Sequence, residues 1–147
     1  LEKLNTVKNR LADTSSNNVF KVIRIDFAAQ HSLLDYYEIL REALKDYKLN
    51  EFDSLISVYN HGTLEFGDIP SKAQENLPKI YEINLFSIWS LLGAVNRLIP
   101  ADIIKNQIHV NISSGYAHEP CANWSGHCTG KKNYFFKLIF QKKFIIK

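Results

Sequence analysis

The sequence predicts an α/β fold, a parallel sheet with flanking helices. Short β-branched runs alternate along the chain with helical stretches of a dozen or more residues, the order of a sheet built by crossovers. The residues that chemistry needs gather where those runs stop: Asp26–Phe27, Tyr59–Gly62 and Ser113–Ser114. In open parallel sheets the strand ends are where ligands sit. At 147 residues, 1–147 has the length of one domain.

The elements follow in order. Leu1, Leu4, Val7 and Leu11 recur at helical spacing, and 13–18 reads as a loop. Val19–Ala28 alternates and is rich in β-branched residues, which predicts a strand ending at Asp26. Residues 31–48 predict a helix with Ser32 as cap and Leu33, Leu34, Tyr37, Leu40 and Leu44 as its apolar stripe. A short apolar strand is expected at Ser54–Val58, turning at Asn60–Gly62. Residues 71–99 carry the next helix, stopped by Pro100. "NQIHVNISS" (Asn106–Ser114) is the third strand, and a helix runs from Ser125 into the tail, to about residue 140.

Composition excludes some classes. No apolar run approaches the ~20 residues needed to span a bilayer, and no membrane partner is expected. The start shows neither a secretory signal nor an Arg-rich transit segment, which predicts a cytoplasmic protein with Cys121 and Cys128 as reduced thiols. The net charge is +3, but residues 131–147 hold six lysines, leaving 12 basic against 15 acidic residues elsewhere. A mildly acidic body argues against nucleic acid as partner. His118, Cys121, His127 and Cys128 follow no zinc-module spacing, and adjacent His127 and Cys128 converge poorly on one ion, so no metal is expected.

Four motifs, in order, carry a resemblance. Asp26 closes a strand, Tyr59-Asn60-His61-Gly62 forms a turn after the next, Asn84 sits in the helical "YEINLFSIW", and "NISS" (Asn111–Ser114) precedes His127-Cys-Thr-Gly-Lys131. Together they resemble the short-chain dehydrogenase/reductase family, over roughly residues 1–140. The likeness implies a Rossmann-like sheet and NADP as cofactor. It implies a small carbonyl substrate (a pterin side-chain ketone, in tetrahydrobiopterin synthesis, by the nearest likeness). Ser114 would hold the carbonyl oxygen. Lys131 would hold the nicotinamide ribose and Asn84 would support a water chain. Asp26, Phe27, Asn60, His61 and Gly62 would line the cofactor.

Three departures matter. The family's proton-donating tyrosine is here His127, whose shorter ring does not reach a phenol oxygen's place. No Gly-rich phosphate turn is present, so the first βαβ unit is expected to be missing and the chain to be a fragment at both ends. The strand at Val19–Asp26 would then lack its neighbours. An impaired reductase is one expectation. The other is a non-catalytic partner, pairing as a homodimer or with an intact reductase through the helices at 78–99 and 125–140.

Overall fold

Ser32 begins the first well-capped helix by closing a reciprocal box. Its hydroxyl accepts from the Asp35 N–H at 3.2 Å, while the Asp35 carboxylate accepts from the Ser32 N–H at 2.7 Å. Two donors that would otherwise be orphaned are satisfied. These bonds also hold the Asp35 carboxyl below its usual range. A computed structural model of the chain describes residues 2–14, 19–64, 73–119, 125–132 and 144–146.

The elements are α1 (Glu2–Thr14), α2 (Leu33–Leu44), β1 (Ser54–Tyr59), α3 (Ala73–Tyr81), α4 (Ser87–Leu98), β2 (Asn106–Asn111), α5 (Ser125–Lys132) and β3 (Phe144–Ile146). A π turn at Glu82–Phe86 joins α3 to α4, making one long helix with Pro78 inside it. The strands form a parallel sheet in the order β1-β2-β3, with Ser54 opposite Asn106 and Tyr59 opposite Asn111. Parallel strands need long crossovers, and the α3–α4 helix supplies the one between β1 and β2.

Strand periodicity sorts the two faces. Tyr59, His109 and Asn111 are buried, whereas Ile56 and Val58 are 64% and 59% exposed. The buried face meets the helices: Tyr59 packs with Leu85 and Ile88, and Tyr81, Leu91 and Leu92 surround them. Burial of a side chain such as Ile88 contributes ~1.5–3 kcal/mol. Leu4, Val7 and Leu11 of α1 remain substantially exposed.

The strands at 54–59 and 106–111 and the helices at 33–44 and 73–98 match expectation. One expectation is corrected. Val19–Asp26 is not a strand, for it pairs with nothing in the described sheet. It stands off from β1 across a cavity of about 720 Å³, lined by Phe20, Leu44, Tyr47, Phe52, Leu55 and Ile104 among others. Alternation gives a strand its faces, but only a neighbouring backbone gives it a ladder. Beyond the expected end of the last helix, 144–146 adds a third strand to the sheet beside β2. Residues 133–140 of the expected helix, the loop at 15–18 and Cys121 lie outside the described residues.

Candidate functional site

The site grows from the ends of two parallel strands. After Tyr59 the chain turns through Asn60, His61, Gly62 and Thr63. The end of β2 lies alongside, since the Ile112 N–H donates to the Tyr59 carbonyl at 2.9 Å. Asn84, wholly buried in the π turn, clasps this loop. Thr63 N–H donates to Asn84 Oδ1 at 2.7 Å, and Asn84 Nδ2 donates to the Thr63 carbonyl at 3.0 Å.

The π turn has a second consequence. The Ser87 N–H reaches back to Glu82, which deprives the Ile83 carbonyl of its helical donor. The Ser87 hydroxyl donates to Ile83 instead, at 2.9 Å. With that hydrogen committed, the 2.9 Å contact between Ser87 Oγ and His61 Nε2 must be donated by the ring. His61 is thereby held as the Nε2–H tautomer. Its other side stacks on Phe27, with ring centroids 3.8 Å apart and planes 5° from parallel. Burial, and secondly the Lys131 charge, push the His61 pKa down to about 4, so the ring is neutral at pH 7.

Lys131 joins the strand ends. It is 5% exposed, and its Nζ donates to the His61 carbonyl at 3.2 Å and the Ile112 carbonyl at 3.4 Å. Burial lowers its pKa from the usual lysine value. Such close packing requires two glycines. A Cβ on Gly62 would sit 3.1 Å from Lys131 Nζ and 3.2 Å from Asn84 Oδ1; one on Gly130 would sit 3.1 Å from Asn84 Cβ. His127, one turn before Lys131, places its Nδ1 3.0 Å from the Thr63 carbonyl.

Asn84, His127, Lys131, His61 and Gly62 thus meet in one cluster, and Phe27 reaches it through the His61 stack. Other expected site residues stand differently. Ser114 caps the short 3₁₀ turn at Gly115–Ala117, its hydroxyl accepting from the Tyr116 N–H at 3.3 Å. Its neighbour Ser113 is the serine that contacts α5, donating to the Lys131 carbonyl at 3.4 Å. Asp26 is exposed and accepts from the Ala28 N–H at 2.9 Å. Asn60 is exposed after β1. Sequence reasoning passed over Thr63, Ser87 and Gly130. Ser87 follows Asn84 at helical spacing and Gly130 adjoins Lys131, signals available in principle; Thr63 acts through its backbone, which no side-chain pattern reveals.

Chemically, the cluster offers a buried cation, a ring nitrogen at His127 and hydroxyls at the end of β2. Tyr59 is no substitute proton donor, because burial pushes its hydroxyl up to about 12. Among the described residues no group of three or more His, Cys, Asp or Glu is placed to hold a metal. No described helix is long and apolar enough to cross a membrane.

No family model matches the sequence, and no curated protein matches it significantly. Solved structures do match. A short chain dehydrogenase from Salmonella enterica serovar Typhi is 19% identical with a TM-score of 0.74, covering 91% of this chain and 52% of its own. One from Mycobacterium smegmatis is 16% identical at 0.71, covering 89% and 50%. An alcohol dehydrogenase from Thermococcus sibiricus, complexed with 5-hydroxy-NADP, is 17% identical at 0.67, covering 89% and 51%. The chain therefore has the α/β fold of short-chain dehydrogenases and spans about half the length of these structures.

Proposed function

We propose that the chain is an oxidoreductase of the short-chain dehydrogenase/reductase kind. Ser114, Asn84, His127 and Lys131 lie at its reacting end, and Asp26, Phe27, Asn60, His61, Gly62 and Lys131 lie along an NADP cofactor. The observation that carries this is Lys131: a buried ammonium held by two backbone carbonyls at the ends of β1 and β2. Among the described residues it has no carboxylate partner. A buried cation without a counter-charge is costly for stability alone, and it suits ribose hydroxyls. The nicotinamide-ribose end of the cofactor fits these residues; the described residues offer no glycine-rich turn for the pyrophosphate. When bound, the nicotinamide supplies or accepts hydride. The chain's own residues position the substrate and handle its proton.

The order of the motifs supports a finer assignment, to the sepiapterin reductase type: reduction of a pterin side-chain carbonyl in tetrahydrobiopterin synthesis. Turnover is expected to be weak, because His127 occupies the position of the family's tyrosine, and a reacting group misplaced by about 1 Å costs ~100-fold in rate. NADPH oxidation with sepiapterin tests this. Slow turnover that disappears in Lys131→Ala is expected; turnover indifferent to that change removes Lys131 from the site and the proposal with it.

A second reading is favoured by the outer face of the long helix, where Phe86 and Trp89 are 49% and 37% exposed. Pairing through the 78–99 and 125–140 segments, with a second copy or an intact reductase, would cover them. Sedimentation of the chain distinguishes the two: a dimer abolished by Trp89→Glu supports pairing, and an unchanged monomer refutes the homodimer.

A further inference from the structure

The Lys131 ammonium is held partly by a carbonyl that stands next to a hinge. Its Nζ donates to the His61 carbonyl at 3.2 Å, and that carbonyl belongs to the His61–Gly62 peptide. Gly62 cannot be stiffened by a side chain, because a Cβ there would lie 3.1 Å from Lys131 Nζ. Glycine leaves the peptide before it freer to turn than another residue would. Something else must keep this carbonyl aimed at the buried cation.

The long helix tethers the loop on both sides of the glycine. Asn84 holds the far side, through the N–H and the carbonyl of Thr63 at 2.7 and 3.0 Å. Ser87, three residues further along the same helix and wholly buried, holds the near side: its Oγ lies 2.9 Å from His61 Nε2. The hydroxyl is itself fixed, since it donates to the Ile83 carbonyl at 2.9 Å. Phe27 covers a face of the ring, with centroids 3.8 Å apart. The His61 ring is thus gripped at its edge and on a face, and the peptide that follows it is pinned at both ends.

We propose that Ser87 is a positioning residue for Lys131, acting through His61: it fixes the ring so that the His61 carbonyl stays turned towards the ammonium. This rests on the oxidoreductase site proposed above, and adds to it a residue buried behind that site. Asn84 does not replace it, because Asn84 grips the loop only beyond Gly62.

Lysine ¹H–¹⁵N NMR reads the Lys131 ammonium in the folded chain before any cofactor is added. At pH 7 the His61 ring is neutral, its pKa pushed down to about 4, so replacing it removes no charge. In Ser87→Ala the Lys131 Nζ signal is expected to move towards those of the exposed lysines and to exchange faster with water. His61→Leu keeps the backbone carbonyl but cannot bond to Ser87; it is expected to do the same, and the double variant to add nothing further. A Ser87 that only stabilises the helix would lower Tm and leave the native Lys131 signal in place. That result overturns the proposal, as do shifts that add in the double variant. NADPH affinity is scored separately on the same samples. A fall of about fivefold in Ser87→Ala, the worth of roughly one neutral hydrogen bond, supports the role at the site, and an unchanged affinity overturns it. A parent chain that binds no NADPH removes the oxidoreductase site, while the link from Ser87 to Lys131 is still decided by the ammonium signal.

Discussion

Replacing Asn84 with alanine removes a side chain that ties the β1 turn to the long helix. Two hydrogen bonds to Thr63 go, at 2.7 and 3.0 Å, from a residue with no exposed surface. The Thr63 carbonyl keeps His127 as a donor, but its N–H loses its acceptor. An orphaned buried donor costs about 1–3 kcal/mol. Alanine returns at most ~0.7 kcal/mol of helix propensity, so the net loss is about 1–2 kcal/mol. For a domain of this size each 1 kcal/mol moves Tm by roughly 3 °C, and a fall of roughly 3–6 °C is expected in a calorimetric or circular-dichroism melt. Asn84→Asp is the sharper control. It keeps the acceptor for the Thr63 N–H but sets an oxygen against the Thr63 carbonyl, where only a donor fits. A melt unchanged in both variants would refute the clasp.

Three further outcomes follow from the same cluster. Gly130→Ala should gain nothing from alanine's better helix propensity, since the new Cβ meets Asn84 Cβ at 3.1 Å; chemical denaturation should show it neutral to about 1 kcal/mol less stable, and a clear stabilisation would contradict the packing. His61, at about 4, lies below the usual imidazole value of about 6.5, so the unfolded chain binds that proton first. Its contribution is therefore full above pH ~6.5 and is lost as pH falls towards 4. Complete burial would make this roughly 3 kcal/mol and partial exposure about half that, readable as a Tm drop across pH 6.5–4 that His61→Gln reduces. Lys131→Met removes the second cause of the His61 shift, and NMR titration should place His61 higher than in the parent, though still below 6.5 because burial remains.

Much of the fold was legible because helices and strands announce themselves locally. Ser32 three residues before Asp35 is a capping box in sequence and in space. Leu55, Ser57 and Tyr59 alternate with Ile56 and Val58 as the two faces of β1 require. Val19–Asp26 misled for a physical reason: its alternation is that of a strand, but strand formation is decided by a partner that sequence-local pattern cannot supply. The third strand lay outside any expected element, because Phe144–Ile146 pairs with His109–Asn111, far away along the chain. At the candidate site, Asn84, His127 and Lys131 could be picked out by residue type and spacing. What spacing could not show is that Thr63 receives both Asn84 and His127, or that Ser113 rather than Ser114 bonds to α5. Those follow from the π turn and from where the backbone carbonyls point.

The most direct measurement is an amide NMR titration of the chain with NADPH. Shifts are expected to concentrate at Gly62, Thr63, Ser113, Ser114 and Lys131, and to weaken in Lys131→Ala. Shifts gathered instead around the cavity beside Phe20 and Phe52, or none at millimolar cofactor, would contradict a nicotinamide site at the ends of β1 and β2.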